Sequence, residues 1–190
     1  MMNQSYYPGM LTSDVEFFFQ GEKTMVMTEG SIKSFDQISE NIKKILLTEI
    51  SKDDEVERIL HSLHPTNPIK RLEQFTKCRF GGLDFSADID HAGKIQKGEY
   101  WDCPLRGNCN AEGKLCKHIK YNNSIINDDE IKLIKMLVTD ATNECIATQL
   151  KLPYGTLHYK KRLLYEKLEI ATKQELTLFA VRFNLAQPIH

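Results

Sequence analysis

No run in this chain approaches the roughly 18 consecutive apolar residues of a membrane helix, so a helical span is excluded. Neither sign of charge is in excess. There are 25 Lys and Arg against 26 Asp and Glu, a formal net charge of −1 and a pI near 6.6. That balance excludes a general nucleic-acid coat, so any affinity for nucleic acid has to come from a local basic face. Low-complexity tracts and internal repeats are absent, no pair of carboxylates has the look of a phosphoacceptor site, and no Cys-x2-Cys knuckle occurs. The first residues, with Asn3, Gln4, Pro8 and Asp14, lack the pattern of a secretory leader, and a cytoplasmic protein is expected. Five cysteines in that compartment are not expected to form structural disulfides, so their arrangement calls for another account. What is present, 190 residues at 41% hydrophobic and 27% charged, suffices for one domain with a sizeable core or for two small ones.

The most regular patterning lies in residues 127–185, as four short amphipathic segments. Asn127 followed by Asp128, Asp129 and Glu130 suits a helix start, and Ile131, Ile134, Leu137 and Val138 then recur at helical spacing. Thr142 or Asn143 caps a second helix over 144–150, with Ile146, Ala147 and Leu150 inward. Residues 151–155 form a turn. A longer helix over 156–168 follows, placing Leu157, Leu164 and Leu168 inside and a polar, basic set outside. Thr172 and Glu175 make a Thr-x-x-Glu capping box for the last segment, which carries Leu176, Phe179, Ala180 and Phe183 and packs on the first three or pairs with a second copy.

These residues resemble the LuxR/GerE-type transcription-regulator domain over about the last third of the chain. Glu130, the Leu137-Val138-x-Asp140 end of the first helix, Ile146-Ala147-x-x-Leu150, Thr156, and Lys167-Leu168 followed by Ile170 fall in register on that family's pattern. The resemblance implies a four-helix fold whose third helix enters the major groove of double-stranded DNA. The chain departs from the family at His158, Tyr159, Lys160 and Lys161, so the target sequence does not carry over. On helix geometry, His158, Tyr159 and Arg162 lie opposite the apolar stripe and are candidates for base edges, whereas Thr156 and Lys160 flank it and suit phosphate. Lys161 falls on the stripe itself, and its role stays open.

Upstream, Val15, Phe17, Phe18 and Phe19 and then Met25, Val26 and Met27 flank a turn at residues 20–23, which allows a hairpin or two irregular apolar segments. Ser34 with Gln37 predicts a capped helix over 35–50, residues 53–63 repeat the pattern, and Pro65 and Pro68 end it. Cys78, Cys103, Cys109 and Cys116 then fall in a polar, Gly-rich window, with spacing Cys-x24-Cys-x5-Cys-x6-Cys. Four thiols in loops suggest one metal. Zinc fits because four thiolates close a tetrahedral site and a region short of apolar residues needs a cross-link. An iron–sulfur cluster takes the same donors, and Cys103-Pro104 resembles ferredoxin-type runs. Unligated structural or redox-pairing thiols are the third reading, and His118 is an alternative fourth ligand. Cys145 is expected to be a plain thiol. Phe80, Tyr100 and Trp101 lie among basic residues and either stack on bases or pack over a metal loop; Asp84, Asp88, Asp90 and His91 read as loop acids.

The expected fold is therefore mainly α. It comprises an α-rich region (1–75), a cysteine-rich metal-binding loop module (76–120) and, after a linker at residues 121–124, a four-helix helix-turn-helix domain (125–190). The expected function is a sequence-specific, homodimeric DNA-binding regulator with a structural four-cysteine metal site; the alternative is a redox- or metal-sensing regulator with a labile cluster or thiol pair. Metal-assisted hydrolysis is not expected, since four thiolates leave no open coordination position and no general base stands nearby.

Overall fold

The computed structural model describes residues 6–186, which divide between Lys117 and His118 into two compact units. The expected mainly α character is met in part: seven α-helices among the described residues stand beside a small antiparallel sheet, so the class is mixed α and β. None of these helices is long and apolar enough to cross a membrane.

In the first unit the early apolar residues do form a hairpin. β1 (Glu16–Gln20) pairs with β2 (Lys23–Thr28), and β2 pairs with β3 (Ser31–Ser34). Gly21 supplies the positive φ, +61°, that a two-residue hairpin turn needs at its first position. Phe17 faces Val26 across the strands, and both are fully buried.

A short 3-10 turn, Phe35–Gln37, replaces the first part of the helix expected over 35–50. The helix proper, α1 (Glu40–Ile50), starts later because Ser39, not Ser34, accepts its first free N–H, from Ile42. The second, α2 (Asp54–Leu63), falls within the expected 53–63, with Asp53 as its cap. Pro68 does not serve as a terminator. It opens α3 (Pro68–Arg79), where a missing N–H costs nothing at the first position, and Asn67 caps that end.

Packing joins these elements into one core of Phe17, Leu46, Leu60, Phe75, Phe80, Ile89 and Leu115, with Cys78 and Cys109 at its edge. Each fully buried side chain of this size contributes about 1.5–3 kcal/mol. The cysteine-rich segment therefore shares the core of the residues before it. Neither helix nor strand occurs between Arg79 and Lys120 apart from isolated bridges; instead residues 81–89 run against β1 and the adjoining Val15 through Phe19 N to Gly81 O at 3.1 Å, Val15 N to Ile89 O at 2.8 Å and Asp88 N to Val15 O at 3.0 Å.

In the second unit, the stretch expected to be a linker is a hairpin, β4 (Lys120–Tyr121) and β5 (Ser124–Ile125). Asn122 and Asn123 both adopt left-handed φ, 45° and 61°, as a two-residue I′ turn requires. Four helices follow: α4 (Asp128–Leu137), α5 (Asn143–Gln149), α6 (Tyr154–Leu168) and α7 (Lys173–Arg182). Their core is Ile134, Ile146, Leu157, Leu164, Leu168 and Leu176, with Ile126 from the hairpin side.

Candidate functional site

The residues that the sequence singles out for base and phosphate contact lie on α6, which follows α5 after a turn. Thr142 caps α5, and Leu150 to Pro153 form the turn, with Lys151 at φ 54° and Leu152 N bonded to Ala147 O at 2.9 Å. The third helix begins at Tyr154, two residues before the expected start, because first-turn N–H groups need no intrahelical partner and Pro153 can precede them. Leu157, Leu164 and Leu168 are buried as their spacing implies.

On its outer side His158, Tyr159 and Arg162 are exposed, and Thr156 and Lys160 are half-buried at the flank. Tyr154 meets His158 edge-on at 4.5 Å. The Arg162 guanidinium lies 5.5 Å from the Tyr159 ring and pairs with Glu166 at 3.2 Å. Lys161 is half-buried, with its ammonium 5.5 Å over the Tyr165 ring, so its stem covers the stripe while its charge leaves it. An open groove of about 590 Å³ runs beside this helix, lined in part by His158, Lys161, Arg162, Tyr165 and Lys173.

The cysteine block is built differently from the loop arrangement its sequence suggests. Cys78 sits in the last turn of α3. Burial pushes its thiol up to about 11; Gln74, one helical turn earlier, opposes this by donating to Sγ at 3.1 Å, and Cys116, Cys103 and Cys109 push it further up. All five cysteines are free, and among the described residues no group of three or more His, Cys, Asp or Glu is placed to hold a metal ion. Cys145 is exposed on α5, and His118 begins the second unit.

Two arginines are buried in the block. Arg79 is 8% exposed and donates from Nε to Leu115 O at 2.5 Å and from Nη2 to Lys114 O at 3.3 Å. Burial lowers its pKa, while Glu49, Asp53, Cys116 and Cys78 act against that. The Arg106 side chain lies 4.3 Å over the Tyr100 ring and 3.6 Å from Glu112. Its Nε, together with Trp101 Nε1, is buried without a hydrogen-bond partner. Gly113 N donates to Cys116 Sγ at 3.4 Å. Phe80, Tyr100 and Trp101 are all buried, which removes them as a stacking platform for bases. Gln74 escaped the sequence reading because the helix that carries it did; once α3 is drawn, Gln74 lies on the same face as Cys78.

Asp84 and Asp88 are not plain loop acids. Asp84 N donates to Glu16 Oε1 at 2.8 Å, Phe17 N donates to Asp88 Oδ2 at 2.7 Å, and Gly82 N donates to Glu99 Oε1 at 2.7 Å. The four carboxyl groups form one cluster beneath β1. Sequence spacing could not reveal it, since Glu16 and Glu99 are far from the other two along the chain.

No family model, no curated protein and no solved structure matches this chain. Its functional reading rests on its own residues and geometry.

Proposed function

We propose that this chain is a sequence-specific regulator that binds double-stranded DNA through α6, as the resemblance of its last third to LuxR/GerE-type domains implies, and that it works in the cytoplasm as a homodimer. The observation that carries the reading is the form of α5, turn and α6: a seven-residue helix, a left-handed Lys151 in the turn, and a fifteen-residue helix with three buried leucines and an exposed His158, Tyr159 and Arg162. A helix of that kind offers donors to base edges from one side while its other side is anchored. Thr156 and Lys160 at the flank suit phosphate contact. Selection of bound duplexes from a random pool tests it. Enrichment of one motif is the expected result, and a pool unchanged after several rounds overturns it.

Cys78, Cys103, Cys109 and Cys116 are proposed to hold one structural metal, with zinc as the first assignment. The electrostatic action of Cys103, Cys109 and Cys116 on Cys78, and of Cys78 and Cys116 on the buried Arg79, supports this, because a tetrathiolate centre carries net negative charge that Arg79 would offset. Metal uptake would release the thiol protons and draw the sulfurs inward. The second reading is a labile iron–sulfur cluster or a redox-active thiol pair; the uncommitted N–H groups of Trp101 and Arg106 favour a centre with additional sulfur acceptors. Metal and sulfide analysis of anaerobically purified protein separates the two. A colourless zinc protein supports the first, a brown one with iron and sulfide the second, and a metal-free protein with normal stability removes both.

A further inference from the structure

The carboxyl cluster under β1 has no part in the reading above. Glu16 is fully buried, and its Oε2 has no hydrogen-bond partner although Oε1 is held by Asp84 N. Asp88 is 3% exposed. Among the described residues no lysine, arginine or histidine forms an ion pair with Glu16, Asp88 or Glu99. The charges that act on these three are carboxylates: Asp84 on Glu16, then Glu16, Glu99 and Asp84 on Asp88, then Asp84 and Glu16 on Glu99. The surrounding elements bring little relief. From α3, Arg79 is committed to the Leu115 and Lys114 carbonyls and Lys77 lies 4.0 Å over the Phe19 ring; from β2, uncharged Met27 stands opposite Glu16; beyond the cluster Asp14 faces His91 at 3.6 Å. No three of the acids are placed as ligands of a cation; one oxygen of each of Glu16 and Asp88 accepts a backbone N–H from across the contact, and one of Glu99 accepts that of Gly82 within the segment.

We propose that Glu16, Asp84, Asp88 and Glu99 form a proton-held clasp, which keeps the 81–99 segment seated on β1 while the buried carboxyls carry protons and loosens it when they give them up to water. Glu16, Asp88 and Glu99, ionised this close together and shielded from solvent, would repel one another strongly. Protonation removes that repulsion and lets one carboxyl donate to another, as the Glu99 to Asp84 side-chain hydrogen bond requires. Burial, first among the causes, raises Glu16 to about 9, Glu99 to about 10, and Asp88 well above its ordinary range.

The sign follows from linkage. An unfolded carboxyl loses its proton near its ordinary value, about 4.5, and the folded one keeps it, so the folded form binds more protons over the interval between. The stability contributed by the clasp is complete below about pH 4.5 and declines as pH rises to about 9–10, where the folded groups ionise. Neutral pH lies on that slope. Glu99 N also donates to Arg79 O at 2.8 Å, and Tyr100, Trp101 and Cys103 follow directly, so a loosened clasp reaches the cysteine block.

The experiment uses the full chain and its single tryptophan, Trp101, as the fluorescence probe of the first unit. Thermal midpoints are recorded from pH 6 to pH 9 in buffer of fixed composition, for the wild type, Glu16→Gln and Glu99→Gln. The wild-type midpoint should drop by several degrees over that range. Both variants should show a shallower slope and a higher midpoint than wild type at pH 9. In the wild type, hydrogen exchange at Phe17, Gly82 and Asp84 should quicken between pH 7 and pH 9 beyond the intrinsic effect of pH. Equal slopes in all three proteins overturn the proposal. So does a wild-type midpoint that millimolar Ca²⁺ or Mg²⁺ raises at pH 8 while leaving both variants unmoved, which would make the cluster a cation site. Glutamine mimics the protonated acid, so loss of folding in both variants at pH 6 overturns it as well.

Discussion

The ammonium of Lys167, near the end of α6, bonds both carboxylate oxygens of Glu130 in the first turn of α4, at 2.8 and 2.7 Å, and also the Ile125 carbonyl at 2.7 Å. Glu130 serves in addition as the reciprocal half of the Asn127 capping box. One carboxylate therefore ties a helix start to the end of α6. Glu130→Ala removes both roles and should cost about 1–2 kcal/mol, whereas Lys167→Met removes the half-buried pair and the bond to the Ile125 carbonyl but spares the capping box, and should cost about 1 kcal/mol or less. Chemical denaturation followed by circular dichroism checks the order; equal losses would mean that the capping box contributes nothing.

Arg162→Ala and His158→Ala should each flatten the preference for the selected duplex over a random one, by about 1–3 kcal/mol, because a base contact is lost. Lys160→Ala should weaken both duplexes alike and make the salt dependence shallower. Fluorescence anisotropy at several salt concentrations measures both. A changed sequence preference in Lys160→Ala would show that α6 lies rotated in the groove relative to this assignment.

Replacing Cys78, Cys103, Cys109 or Cys116 by Ser should lower bound metal and stability together, while Cys145→Ser, exposed on α5, should leave the metal content unchanged. Metal per chain by elemental analysis, set beside the thermal midpoint, gives the answer. Full metal content in Cys78→Ser would remove Cys78 from the ligand set.

Gly81 has no room for a side chain. A Cβ there would stand 2.6 Å from the Lys77 carbonyl and 2.6 Å from the Trp101 ring. Gly81→Ala should therefore cost about 1–3 kcal/mol as the loop shifts away from α3. Trp101 emission, blue-shifted by burial, should move to longer wavelength; an unchanged spectrum would mean that the ring yields without opening to solvent.

Where structure is local, the sequence spells it out. In the second unit the capping groups Asn127, Thr142 and Thr172 and the buried residues Ile134, Ile146, Leu157, Leu164, Leu168 and Leu176 stand where their spacing puts them. Misreadings came from signals with two meanings. A proline ends one helix or begins the next, and at Pro68 the preceding Asn67 decides for a beginning. Two asparagines read as a linker, but their tolerance of left-handed backbone makes them a hairpin turn. Ser34 and Ser39 compete as caps, and only the start of the apolar periodicity at Ile42 favours the second. The clasp under β1 lay beyond any local pattern, because its members meet only after the chain has closed on itself.

That closure sets an order of events during synthesis. β1 has its far neighbours in residues 81–99, so its outer edge stays open until some seventy further residues have left the ribosome, whereas the second unit is assembled from successive short helices. Loop-closure entropy delays contacts between distant residues, and an open strand edge invites pairing with other chains. The first unit should therefore be the slower to fold and the one that aggregates when synthesis stalls before Glu99, a difference that truncated nascent chains of increasing length would expose through the solubility of each.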